Sequence, residues 1–285
     1  MMMATLLERA YSVDYFGATQ LVIDDEPLLS WALGENISPA AAQTRALQEG
    51  IVPLRYLKNL NALKPIEQRS VSESKVLVCG CGGLGGIIIH LLARAGVGYL
   101  RLVDGDSFSP TNLNRQLLSD SLNLAQSKAL VAAEKVRAIN PLIEVEPFDF
   151  IIEQENVEKL VRSNHLVLDA LDNLAGRFLL AETARSLGIP FIHAAVAGWW
   201  GQISTFLPRS PCDLKSIYGE LRSRDPAEEA VGVLGPTASV IGSLEALEAL
   251  RLLAGRQPAY SEKLLYFDGE SGQMEIIPLA CEPLD

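Results

Sequence analysis

Three charged side chains, Arg115, Lys128 and Asp172, stand just beyond two apolar runs, YLRLV and NHLVL. Two cations and a carboxylate suit phosphoryl or adenylyl transfer. The cations neutralise charge spread over phosphate oxygens and stabilise a departing pyrophosphate. The carboxylate suits Mg²⁺, which takes one or two protein carboxylates together with phosphate oxygens. Each residue also has a plainer reading. Arg115 can anchor a loop, Lys128 can be a solvated helix residue, and Asp172 can cap the helix that begins near Leu174. Asp169 is a second candidate for the capping or supporting task.

What brings these residues to a nucleotide is the stretch CGCGGLGG at 79–86. Gly80, Gly82 and Gly85 fit the spacing GxGxxG, and Gly83 extends it. Such a turn lets the chain touch phosphate at a helix N-terminus whose N–H groups are unpaired. Asp104 closes the next apolar run, roughly 20 residues on, where a carboxylate accepts hydrogen bonds from ribose hydroxyls. These features fit NAD and ATP equally. The following stretch, DGDSFSPTNLNRQLL, separates them: Asp106, Thr111, Asn112 and Asn114 lead to Arg115 and then Lys128, two cations that a hydride-transfer site does not need.

The elements that position these residues alternate. Apolar runs at 75–80, 99–106, 143–150 and 164–173 read as strands, and 85–95, 125–140 and 174–188 as helices. Repeated βαβ units of this kind give a mainly parallel, Rossmann-like sheet flanked by helices, with ligands beyond the carboxyl ends of its strands. IPFIHAAVAG and GQISTFLP add strands, 235–255 reads as a long helix, and LLYFD and QMEIIP pair across GESG as a hairpin, so the C-terminal part is antiparallel. Residues 209–230 read as a polar loop. Residues 1–50 form an extension read as helical, with SPAAAQTRALQEG capped by Ser38, started by Pro39 and closed by Gly50. Residues 51–285 form the catalytic domain.

Composition narrows the partners. The net charge of −11 speaks against nucleic acid or an anionic membrane as main partner. No apolar stretch reaches the ~20 residues of a membrane helix. The opening residues lack the basic and apolar regions of a secretory leader. Four cysteines in 285 residues do not make a disulfide framework, which points to the cytoplasm. Cys79 and Cys81 in the glycine loop read as small packing residues. His90, His165 and His193 read as packing or surface residues, with His193 placed where it could face the pocket. Trp199 and Trp200 fit a turn platform or the lining of a substrate channel.

Together these motifs resemble the MoeB/ThiF/HesA adenylyltransferases, relatives of the ubiquitin-activating enzymes. The resemblance spans roughly 53–280 and runs through GCGGLG (80–85), VDGD (103–106), TNLNRQ (111–116), Lys128, Asp172–Asn173, GWWGQIS (198–204), the 232–255 stretch and LLYFDGESG (264–272). It implies that the C-terminal carboxylate of a ubiquitin-like sulfur-carrier protein attacks the α-phosphorus of ATP, giving an acyl-adenylate that is passed to a sulfur donor. It implies Arg115 and Lys128 on the phosphates, Asp172 on Mg²⁺, Asp104 on the ribose and Gly83 in the nucleotide cradle. It also implies a homodimer in which Lys58, where relatives carry Arg, reaches into the partner's site. Lys keeps the charge there without the bidentate fork.

The chain departs from the family in two places. Relatives bind zinc through two CxxC pairs, and here only Cys212 and Cys281 stand at the matching places, so no zinc site is expected. Some relatives carry a reactive Cys before GVLGP, where this chain reads DPAEEAV, so adenylation without a thioester is expected. Another carboxylate, such as a peptide C-terminus or a small acid, is the alternative substrate. An NAD(P)-dependent reductase and a non-catalytic nucleotide-binding relative are the remaining readings.

Overall fold

The computed structural model describes residues 5–220 and 231–281. A short helix, α1 (Leu6–Arg9), leads into a hairpin of β1 (Tyr11–Tyr15) and β2 (Ala18–Ile23). Its two-residue turn places Phe16 and Gly17 at φ 53° and 76°. Positive φ at both positions matches the strand twist. Helices α2 (Asp25–Glu35) and α3 (Pro39–Gln48) follow, and then β3 (Val52–Pro53), which pairs in parallel with β2. The expectation of a helical extension is therefore corrected for residues 11–23, where side chains alternate about the Phe16–Gly17 turn. In α3, Ser38 caps and Pro39 opens the helix as its sequence indicates.

A buried polar node fastens this region to the rest. Tyr56 donates to Gln43 Oε1 at 2.6 Å and accepts from Asn140 Nδ2 at 2.7 Å. Burial pushes the Tyr56 hydroxyl well above its ordinary pKa, so it remains a donor. Gly96 must lack a side chain here, because a Cβ would lie 2.5 Å from the Tyr56 ring.

After α4 (Pro65–Ser72) come β4 (Lys75–Cys79), α5 (Gly83–Ala95), β5 (Tyr99–Val103), α6 (Lys128–Ile139), β6 (Glu144–Phe148), α7 (Val157–Val161), β7 (Leu166–Asp169), α8 (Leu174–Ser186) and β8 (Phe191–Ala197). Then follow β9 (Trp200–Phe206), α9 (Lys215–Tyr218), α10 (Gly235–Leu253), β10 (Lys263–Asp268) and β11 (Gln273–Pro278). The sheet order is β11-β10-β9-β8-β7-β4-β5-β6. Strands β8 through β6 run parallel, and β9, β10 and β11 are antiparallel. The polar stretch after β9 carries the short α9; the part of it from 221 to 230 lies outside the described residues.

The parallel strands are apolar throughout because both faces are covered. Val76, Val78, Leu100, Leu102, Leu166 and Leu168 enter one core with α5, α6 and α10. Leu77, Cys79, Val103 and Val167 enter the other with α7 and α8. The chain passes from β4 outward to β5 and β6, then returns to β7 on the other side of β4. The crevice for ligand opens where β4 and β7 part.

Candidate functional site

At that crevice β4 ends in the glycine loop, and the loop is sterically fixed. Gly80 has φ 97°, and a Cβ there would lie 2.3 Å from Ala170 O. At Gly85 it would lie 1.8 Å from Gly80 O. Gly83 is different: the nearest atoms a Cβ would meet, Ala238 Cβ and two of Arg115, lie at 3.5 Å or more. Gly80 and Gly85 thus serve the fold, whereas the bareness of Gly83 leaves room beside the first turn of α5.

Over this turn lies a cavity of about 420 Å³, whose lining includes Gly80, Gly82, Gly83, Asp104, Asp106, Arg115, Lys128, Asp172 and Asn173. Residues drawn from five separate segments therefore meet. Asp104 ends β5, and its carboxylate accepts from the backbone N–H of Cys81 at 2.7 Å and of Asp106 at 2.8 Å. Burial raises its pKa above the usual value, against the pull of those N–H groups and Lys128. Lys128, 7% exposed at the first turn of α6, holds Asp106 at 2.9 Å. Arg115 donates through Nη1 to Thr111 O and Asn114 Oδ1, both at 2.8 Å.

Asp172 is exposed and, among the described residues, makes no hydrogen bond or ion pair. The α8 cap is Asn173, whose Oδ1 accepts from Gly176 N at 2.8 Å. Asp169 instead supports from below, accepting from Leu171 N at 3.0 Å. His193 is fully buried, with Nδ1 2.7 Å from Asp169 Oδ2 and Nε2 3.0 Å from Tyr218 Oη.

Thr111, Asn112, Asn114 and Lys58 are not part of the cavity lining. Asn112 is buried and accepts from Ser109 N, closing a 3₁₀ turn over Pro110–Asn112. Lys58 Nζ lies 5.3 Å over the Tyr15 ring, against the N-terminal hairpin. Sequence reasoning did not single out Gln116, Phe150, Ile151 or Val233, all of which line the cavity. Gln116 follows Arg115 directly, and its buried Oε1 has no partner. Phe150 and Ile151 lie just past β6, where the strand-end rule already pointed. They give one wall an apolar character suited to a flat base.

Away from the cavity, Cys212 is joined to Cys281, with Cα atoms 4.7 Å apart. A low cysteine count argued against a framework of disulfides, and one link is nonetheless present. Both residues pack in the same apolar cluster under α8, which brings segments 69 residues apart together. The DPAEEAV stretch lies, save Val231, outside the described residues. Among the described residues no cluster of three or more His, Cys, Asp or Glu could hold a metal ion. No helix among them is long and apolar enough to cross a membrane.

The ThiF family model matches residues 56–283. The SAMP-activating enzyme E1 of Haloferax volcanii is 34% identical over 233 residues, covering 80% of this chain and 86% of that one. The sulfur carrier protein adenylyltransferase of Thermus thermophilus is 35% identical over 211 residues, covering 72% and 78%. The adenylyltransferase and sulfurtransferase MOCS3 of Xenopus laevis is 34% identical over 219 residues, 74% of this chain but 48% of that protein. Among solved structures, MccB of E. coli superposes with a TM-score of 0.72 at 18% identity, covering 81% of this chain and 71% of that one. At that identity the superposition speaks for the fold.

Proposed function

The chain belongs to the ThiF family, and from that premise we propose that it is an adenylyltransferase that activates the C-terminal carboxylate of a ubiquitin-like sulfur-carrier protein with Mg·ATP. The reading is supported by one observation above all: a single cavity is lined by a phosphate-cradling turn, a ribose-competent carboxylate, two cations and an open carboxylate.

In this reading the triphosphate lies along Gly82 and Gly83, and the adenine lies toward Phe150 and Ile151. Asp104 accepts from the ribose. The carrier carboxylate attacks the α-phosphorus, the bond to the bridging oxygen breaks, and pyrophosphate leaves with the electron pair. Arg115 and Lys128 neutralise charge on the phosphates as it moves. For that they exchange their present partners, Asn114 and Asp106, for phosphate oxygens. Asp172 would hold magnesium when it is bound, and the metal would supply charge neutralisation on the phosphates. The donor set fits it: Asp172 offers a hard, unpaired oxygen ligand, and Mg²⁺ takes few protein ligands when phosphate and water supply the rest.

The active protein is a homodimer in the cytoplasm, Lys58 serves the partner's site, and residues 1–50 are an extension to the 51–285 catalytic domain.

ATP–pyrophosphate exchange tests the reaction, run with Gly-Gly-ended carriers and with small acids, beside NAD(H) binding. Exchange only with the carriers is expected. Exchange with small acids alone moves the substrate, and NAD binding without exchange removes the reading. Asp172→Ala should reduce exchange at least a hundredfold, roughly 2.7 kcal/mol of transition-state stabilisation, while the fold persists.

A further inference from the structure

The backbone around Asp172 is held from beneath by two side chains that the chemistry above does not use. Asp169, at the end of β7, accepts from Leu171 N at 3.0 Å. Arg177, one turn into α8, donates through Nη2 to Leu171 O. Leu171, the residue just ahead of Asp172, is thus gripped at both its N–H and its C=O, which belong to two successive peptide units. The residue just after, Asn173, is fixed by its cap on Gly176.

The two grips are themselves joined. Arg177 Nε lies 3.8 Å from Asp169 Oδ2, with the side chains 1% and 0% exposed. A charge so deeply buried is costly unless paired, so neither member tolerates loss of the other. His193 braces Asp169 through the same oxygen at 2.7 Å, and Tyr218 accepts from Arg177 Nη1 at 3.4 Å. Arg177 borders the cavity, but its Nη groups are engaged by Leu171 and Tyr218. What this buried assembly leaves open at the surface is the Asp172 carboxylate.

We propose that Asp169 and Arg177 are positioning residues that clamp the Leu171 backbone on both sides and so fix Asp172 for magnesium. The proposal rests on the reading of Asp172 as the magnesium-holding carboxylate. A loop left to wander would lose the geometry that Mg²⁺ demands. ATP binding in the absence of the metal would not suffer.

The test is calorimetric titration of ATP, with excess Mg²⁺ and with EDTA, on the full chain and on Arg177→Gln, Asp172→Asn and the double variant. R177Q is expected to weaken Mg·ATP binding at least fivefold while leaving binding in EDTA within twofold. Added to D172N, it should change Mg·ATP affinity less than twofold, because both act through one carboxylate. Equal weakening with and without metal, or an undiminished effect of R177Q in the D172N background, would overturn the clamp. A D172N protein with unaltered Mg·ATP affinity would instead remove the magnesium reading, and the clamp with it. Should R177Q not fold, Arg177→Lys keeps the charge beside Asp169 while shortening the reach to Leu171, and it is judged by the same criteria.

Discussion

The Lys128 ammonium rests 2.9 Å from the Asp106 carboxylate, the lysine side chain 9% exposed and the aspartate 64%. A cation so placed in the cavity wall is held in its rotamer by a partner that water can replace. Such a half-exposed pair contributes about 0–1 kcal/mol, so the hold is weak and reversible.

Replacing Asp106 by Asn should therefore strengthen ATP binding about two- to fivefold, since it removes both a competitor for Lys128 and a negative charge near the triphosphate. Lys128→Met should weaken it about tenfold or more, ~1.4 kcal/mol. Calorimetry with ATP reads both. If D106N weakened binding instead, Asp106 would be touching nucleotide and not parking the lysine.

The glycine loop separates structural from binding glycines. Gly85→Ala drives a methyl to within 1.8 Å of Gly80 O, and backbone must shift. A loss of about 3 kcal/mol or more is expected, visible in urea unfolding. Gly83→Ala meets its nearest neighbour at 3.5 Å and should leave stability within about 1 kcal/mol. Its methyl should still cost at least fivefold in ATP affinity, because it occupies the room left for phosphate. A Gly83→Ala protein with normal ATP affinity would move the phosphates elsewhere.

The contrast between these glycines marks where sequence reading stops. Spacing alone singled out Gly80, Gly82, Gly83 and Gly85 as one strand-to-helix turn, and the first three of them line the cavity. It could not say that a Cβ at Gly85 would collide with Gly80 O while one at Gly83 would make only ordinary contacts at 3.5 Å or more. Asp104 and Asp172 were legible because strand ends in a parallel sheet face one crevice. The set of Asp169, His193, Tyr218 and Arg177 was not, since it depends on which strands are neighbours and on how a loop folds back. No period in the sequence carries that. The β1–β2 hairpin was missed although YSVDYFGATQLVI alternates about a Gly. The helical signal of residues 38–50 was extended over it.

Acid should act through Asp104. Its burial raises the carboxyl pKa above 3.8, so protonation begins at higher pH than for an exposed Asp. The proton removes a charged acceptor from the ribose, and KM for ATP should rise as pH falls through that pKa. The stability sign is opposite. With the folded pKa raised, the folded state holds this proton more tightly, so its contribution is present at low pH and lost as pH rises through the folded value. ATP itself titrates alike with every variant. Asp104→Asn should therefore flatten the rise of KM on acidification from neutral pH relative to the parent chain, and an unchanged profile would clear Asp104 of the role.

Lys58 poses the question of which protomer it serves. Within one chain it stacks on Tyr15 at 5.3 Å, a contact that contributes about 0.5–1 kcal/mol at an exposed site. That is weak enough to be exchanged for a phosphate oxygen, which draws a lysine more strongly when charge is shielded from water. A homodimer with Lys58 acting across the interface makes a definite claim about mixtures. Lys58→Ala and Asp172→Ala, each impaired alone, should recover pyrophosphate exchange when mixed under subunit exchange, because one site of the heterodimer then has both residues intact. Recovery toward a quarter of the parental rate is expected from random pairing, half of the dimers carrying one good site. If the mixture shows only the sum of its parts, Lys58 works within its own chain or not at all, and its place over Tyr15 is then a matter of packing.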